Sequence, residues 1–221
     1  MTAVTWIGRH FKQGVFGAGW RTIALAILMA VGVYVASKGY ALLNHGPYRL
    51  FLRTPLDERM PLVKVFVLPY VTLEPATYLT LVAFLLFRVR VYQSAAMSVI
   101  GAFLVSYVFF FLLQTYVDRP HVVGDDTLSK MVRAVYAADN PYNDFPSLHV
   151  SLSAVLALHW ARVGRGWGWL WMTWAAVVIA ATQLIHQHYL LDIAGGLVVA
   201  VTVSHWFLGR FVESPDLQKV A

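Results

Sequence analysis

What most limits the folds open to this chain is a succession of apolar runs, most of them near twenty residues long, separated by shorter polar segments. In hydrocarbon every backbone N–H and C=O must find its partner within the protein, so a run of this length is a helix crossing a membrane. The runs are Thr22–Leu43, Val65–Phe87, Ser94–Val117, a fourth from Pro146 to just before Arg162, Trp167–Gln187 and Tyr189–Phe211. Composition agrees: 59% of residues are hydrophobic and 13% charged, whereas soluble domains run nearer a quarter charged. The expected fold is an all-α integral membrane protein, a bundle of six transmembrane helices.

The expected organisation has three parts. Residues 1–21 form an interfacial segment, because Val4, Ile7, Phe11 and Val15 recur at helical spacing while Arg9, Lys12 and Gln13 lie off that stripe. Residues 22–211 form the membrane domain, and 212–221 a cytoplasmic tail. Basic residues concentrate in the short loops on the side of the two termini, so the termini are expected in the cytoplasm and the long polar loops outside. In a bacterial inner membrane the outer face is periplasmic. The net charge of +6 is not read as nucleic-acid binding, since no basic run sits on a soluble domain. The lack of cysteine excludes a disulfide framework and thiol catalysis.

Two polar stretches interrupt this apolar pattern at helix starts. The first is Asp144-Phe-Pro-Ser-Leu-His-Val-Ser151. Asn143 and Asp144 can cap the fourth helix, and Pro146 suits a first turn. The N–H groups near Ser147, Leu148 and His149 then make an anion site with the helix dipole. The second stretch is His188-Tyr-Leu-Leu-Asp192. Its histidine and aspartate are four apart and share a helix face, so the carboxylate can fix the imidazole tautomer and leave the other nitrogen free to attack. Each stretch alone also reads as an ordinary helix cap; together they point to catalysis. Within the second span, Pro69, Glu74 and Pro75 mark an interruption, and an acid at membrane depth is either a functional group or one paired with a neighbouring helix. His186 and His188 form a His-x-His pair, but no third ligand stands at a convincing spacing, so no metal site is expected. His159 and His205 read as packing or hydrogen-bonding residues, and Gly195 and Gly196 as sites of close helix approach.

Phe-Pro-Ser-Leu-His and His-x-x-x-Asp-x-x-x-Gly, one helical hairpin apart, resemble the second and third motifs of the type 2 phosphatidic acid phosphatase superfamily. The likeness covers roughly residues 110 to 200 and is nearest the branch that includes inositol phosphorylceramide synthases. It implies that His188 attacks phosphorus to form a phosphohistidine, that Asp192 orients it, and that His149 protonates the leaving oxygen. It further implies that Arg119 and Ser147 bind the phosphoryl oxygens, and that no metal or other cofactor is needed. Two departures stand out: Leu112 replaces the lysine of the first motif, and Ala181-Thr182 replaces the Ser-Arg pair of the third. Lys130 and Arg133 in the outer loop are the candidates to supply the missing cations, with Thr182 and Glu74 as further accessory positions. The expected activity is cleavage of a membrane lipid phosphate ester, whether of phosphatidate, phosphatidylglycerophosphate, polyprenyl or sphingolipid type. A lipid head-group phosphotransferase is the alternative, and a non-catalytic lipid transporter is a second one.

Overall fold

The computed structural model describes residues 13–47 and 50–212. Most of the stripe assigned to the N-terminal interfacial segment, and the tail from residue 213, lie outside the described residues. The elements are helical, with α1 at Trp20–Leu43, α2 at Val67–Tyr70, α3 at Leu73–Phe87 and α4 at Val89–Leu112. They continue as α5 at Thr127–Ala138, α6 at Leu148–Val163, α7 at Arg165–Leu184 and α8 at Leu190–Phe211. Among the described residues there is no strand, only isolated bridges at Leu50–Thr115 and Tyr116–Tyr142.

Helix α4 is the axis of the bundle, packing against α1, α3, α6 and α8. Its sequence explains why: Ser94, Ala95, Ala96, Ser98, Ala102 and Ser106 are all buried, and small side chains let neighbouring backbones come close. The hydroxyls of Ser94 and Tyr92 find partners across the bundle. Ser94 Oγ lies 2.9 Å from His159 Nε2, and Tyr92 Oη donates to the Ala26 carbonyl at 2.9 Å. His159 is therefore a buried packing residue that also bonds, as expected from its apolar surroundings.

Four helical stretches are long and apolar enough to cross a membrane: Trp20–Leu43, Lys64–Phe87, Val89–Leu112 and Leu190–Phe211. They mark this as a membrane protein. Side chains such as Ile27, Leu28, Leu79, Phe111, Val198 and Trp206 stand exposed around the outside, a surface suited to lipid rather than water. Helix α6 is apolar but has only 16 residues. The tryptophan-rich α7 falls outside the four.

The third run is shifted from its expected place. It was expected at 94–117, and the helix occupies Val89–Leu112. Its start moves back because Val89, Val91 and Tyr92 are buried, leaving Arg88 alone at the turn from α3. Its end moves back because Gln114 and Thr115 serve the outer segments instead of a helix. Gln114 Nε2 donates to the carbonyls of Leu43 and His45, and Thr115 bridges to Leu50. The interruption in the second run is real: the chain turns at Val71 and Thr72 between α2 and α3, and Glu74 falls in the first turn of α3.

Candidate active site

Three segments at one end of the bundle build the site: 113–119, 139–149 and 182–192. Asn143 adopts a left-handed conformation, φ 58°, which asparagine tolerates better than most residues. Gln114 holds it there, accepting from its backbone N–H at 2.8 Å and donating to its Oδ1 at 3.0 Å. Thr115 Oγ1 then accepts from the N–H groups of Asp144 and Phe145 at 3.0 and 2.8 Å. The outcome corrects the expected cap. Ser147, not Asn143 or Asp144, is the N-cap of α6, its Oγ accepting from Val150 N–H at 3.3 Å. Turned away from the helix end, Asp144 is carried into the interior at 3% exposure.

There it meets His188. The Nδ1 atom of His188 lies 3.1 Å from Asp144 Oδ1. His188 stands in the turn after α7, where the N–H groups of Gln187 and His188 both donate to the Thr182 carbonyl, at 2.8 and 3.2 Å. Helix α8 begins only at Leu190, with Tyr189 as its N-cap. His188 and Asp192 therefore do not share one helix face, because the histidine precedes the helix. Asp192 closes a capping box instead: its Oδ2 accepts from Tyr189 N–H at 2.7 Å. It nonetheless stays in the cluster, since donor atoms of Asp144, His188 and Asp192 all lie within 4.8 Å of one another. All three residues are buried, and Asp144 Oδ2, His188 Nδ1 and Asp192 Oδ1 have no hydrogen-bond partner. Spacing offered His188 no third ligand, but folding brings two carboxylates to it, giving a donor set that a cation can use. His186 is not part of that set.

The electrostatics follow from burial. Burial pushes the Asp144 carboxyl well above the ordinary carboxylate range, against the opposing pull of Arg119. Burial also lowers the affinity of His188 for a proton; the charges of Asp192 and Asp139 oppose this and Arg119 adds to it. His188 is thus a neutral imidazole near neutral pH, the form with a free lone pair.

His149, in the first turn of α6, stacks on Tyr70 with ring centroids 4.4 Å apart and stands 5.8 Å from the His188 ring. Both histidines line a cavity of about 420 Å³ whose walls also include Tyr40, Glu74, Asp139 and Asn143. Ser147 and Arg119 do not line it. Ser147 is fully buried, and its N–H donates to the Asp192 carbonyl at 3.1 Å, which ties the two motif stretches together. The glycines make this junction possible: a Cβ on Gly196 would sit 2.6 Å from the Ser147 carbonyl oxygen, and one on Gly195 2.5 Å from the Phe145 ring.

Arg119 is fixed by carbonyls. Its Nη1 donates to Asp139 O at 2.6 Å, its Nη2 to Gln187 Oε1 at 2.7 Å, and its guanidinium lies over the Tyr136 ring. Its Nε is buried without a partner. The other candidate cations do not arrive. Arg133 donates to the carbonyls of Val122 and Gly124 and so pins the loop before α5, and Lys130 is exposed on α5. Thr182 is buried, with its hydroxyl on the Ile179 carbonyl. Its contribution is its own carbonyl, which shapes the His188 turn.

Two participants were not legible as such. Asp144 read as a cap, and Asp57 falls between the first two apolar runs with nothing to single it out. Asp57 is 3% exposed, and its Oδ1 accepts from Gln183 Nε2 and Leu190 N–H at 2.9 and 3.0 Å, joining the ends of α7 and α8. A Thr54-x-x-Asp57 spacing with the threonine hydroxyl and N–H on the carboxylate is a local turn signal, but nothing local marks its distant partners.

Compared with protein families, residues 44–206 match the family model described as the PAP2 superfamily, which spans all the segments above. No curated protein and no solved structure matches the chain.

Proposed function

The chain belongs to the PAP2 superfamily, and from that premise we propose that it is a membrane lipid phosphatase working through a phosphohistidine. Membership itself points to a phosphatase-type phosphoesterase acting on a lipid-type phosphate. The observation that carries the finer reading is the pairing of His149 and His188 on one cavity wall, with a buried carboxylate behind His188.

In this reading the His188 nitrogen facing the cavity forms the N–P bond while the ester P–O bond breaks. His149 gives the departing oxygen its proton, then takes one from the water that cleaves the N–P bond. Asp144 and Asp192 hold the imidazole and balance the positive charge it gains. Arg119 faces the phosphoryl group in exchange for its Gln187 contact, and its unpartnered Nε gives it a further donor. Ser147 acts by setting the start of α6. No metal takes part, so phosphate release continues after chelation.

The same first step serves a head-group transferase of the inositol phosphorylceramide synthase-like branch, in which a lipid or polyol hydroxyl replaces water. The cavity favours keeping this second reading, because no Lys or Arg is among its lining residues, and a phosphodiester brings less negative charge than a monoester. In both readings six helices cross a bacterial inner membrane, α6 spanning about 24 Å at 1.5 Å per residue. Both termini are cytoplasmic, and the site opens at the periplasmic face. The domain limits are those of the sequence reading, with the membrane domain at 22–211. Incubating purified protein with a panel of lipid phosphates and resolving the products tests the choice. Free phosphate supports the phosphatase, and a new phosphodiester without free phosphate supports the transferase.

A further inference from the structure

Glu74 is the one acidic residue of the second apolar stretch, and the reaction described above makes no use of it. It sits in the first turn of α3 and lines the same cavity as His149 and His188. Among the described residues no hydrogen bond or ion pair reaches its carboxylate. Its side chain is exposed where it lines the cavity, so a ligand that enters can reach the carboxylate.

The rest of the wall says what kind of group that is. Deeper lining residues, Val33, Val99, Phe103 and Leu152, are apolar and suit a hydrocarbon chain. The polar part carries Glu74 and Asp139 with two histidines, and no Lys or Arg. A lipid phosphate entering such a cavity meets two carboxylates and no cation on the lining wall, Arg119 lying behind it at Gln187. A substrate that brings its own positive charge resolves both problems: its ammonium satisfies Glu74, and it offsets the phosphate near His188.

We propose that Glu74 binds a protonated amine of the substrate, so that the preferred substrate is an amphiphile bearing both an ammonium group and a phosphate ester. The inference rests on the reading of His188 as the group that accepts the phosphoryl, and it names the substrate class for that site. The acid's alternative is purely structural, a carboxylate favoured by the positive end of α3.

The test uses the purified full chain and two pairs of compounds. An amine-bearing single-chain lipid phosphate is compared with its N-acetylated counterpart, which keeps tail and phosphate but loses the charge. The wild type is expected to favour the free amine in kcat/KM by about tenfold or more, and Glu74→Gln to reduce that ratio to near one. Equal use of the two compounds by the wild type, or an undiminished preference in E74Q, overturns the proposal. The first of these arms needs no variant. Thermal unfolding with dodecylammonium or dodecanol provides a readout without turnover. Dodecylammonium should stabilise the wild type and His188→Ala alike, and E74Q no more than dodecanol does. Equal stabilisation of wild type and E74Q overturns the proposal. If His188→Ala retains full turnover while the dodecylammonium effect still depends on Glu74, the phosphohistidine reading fails and the amine site stands.

Discussion

His188 Nδ1 lies 3.1 Å from Asp144 Oδ1, a contact between the turn that precedes α8 and the segment that leads into α6. The carboxylate nearest Nδ1 thus comes from the other motif stretch. Asp192, four residues on, is occupied with Tyr189 N–H. Asp144 lies against the ring while Asp192 both caps α8 and completes the buried cluster, and this division makes the two separable by mutation.

Asp144→Asn should lower kcat on the order of 10²- to 10⁴-fold with a much smaller change in KM, because it removes the carboxylate beside Nδ1 and puts there a side chain that can impose the wrong tautomer. Asp192→Asn should in addition lower the melting temperature, since it weakens the capping box. Steady-state kinetics and thermal unfolding of the two variants check this. An Asp144→Asn enzyme with wild-type kcat contradicts the assignment.

The pH profile has a determined sign. Burial holds the His188 pKa below its ordinary 6.5, with Arg119 acting the same way and Asp192 and Asp139 opposing. In the proposed mechanism the neutral ring attacks, so activity should persist below pH 6.5 and the acid limb of kcat/KM should have its midpoint under that value. Asp139→Asn removes a negative charge that favoured the protonated ring, and it should move the limb further down. A midpoint above 6.5, or an upward move in the variant, goes against it.

Gly196→Ala should cost about 1–3 kcal/mol through overpacking, because the new methyl meets the Ser147 carbonyl at 2.6 Å and Val150 Cβ at 2.8 Å. Both neighbours belong to the start of α6, so activity should fall along with stability. Denaturation in detergent and a turnover assay on the surviving fold measure the two effects. Lys130→Ala, by contrast, should leave both within about twofold, as expected for an exposed side chain away from the cavity.

Much of this was legible in the sequence for a simple reason: apolar length and polar interruption are local signals. Thr22–Leu43 and Tyr189–Phe211 were placed to within two residues of α1 and α8. The structure places His149 and Asp192 beside His188, and their stretches stood out because they carry polar groups that an apolar helix does not need. What stayed hidden depends on the path of the chain between helices. Asp144 looks like a cap until Asn143 turns it inward, and Asp57 looks like loop until Leu190 N–H is found on its carboxylate. Arg133 and Lys130 had the right charge, but the outer loop spends the first on its own carbonyls and leaves the second exposed.

Asp57 itself offers a check on the fold that is independent of catalysis. Burial alone would raise its pKa, but hydrogen bonds from Thr54, Leu190 and Gln183 hold the carboxyl below its ordinary 3.8. A depressed carboxyl contributes stability above its unfolded value and loses it as pH falls through the folded one. Asp57→Ala should therefore cost about 2 kcal/mol or more at neutral pH by leaving several donors unpaired. The difference from wild type should shrink in acid. A constant difference from neutral pH down through the carboxylate range contradicts the role.

The most direct test of the central claim is to trap the covalent species. A phosphorus-labelled lipid phosphate is mixed with purified protein, quenched in base and digested, and the labelled peptide is sequenced. Acid-labile, base-stable label on the peptide containing His188, absent from His188→Ala and accumulating in His149→Ala, is the predicted result. Turnover by His188→Ala at the wild-type rate, or label carried by another residue, would contradict it.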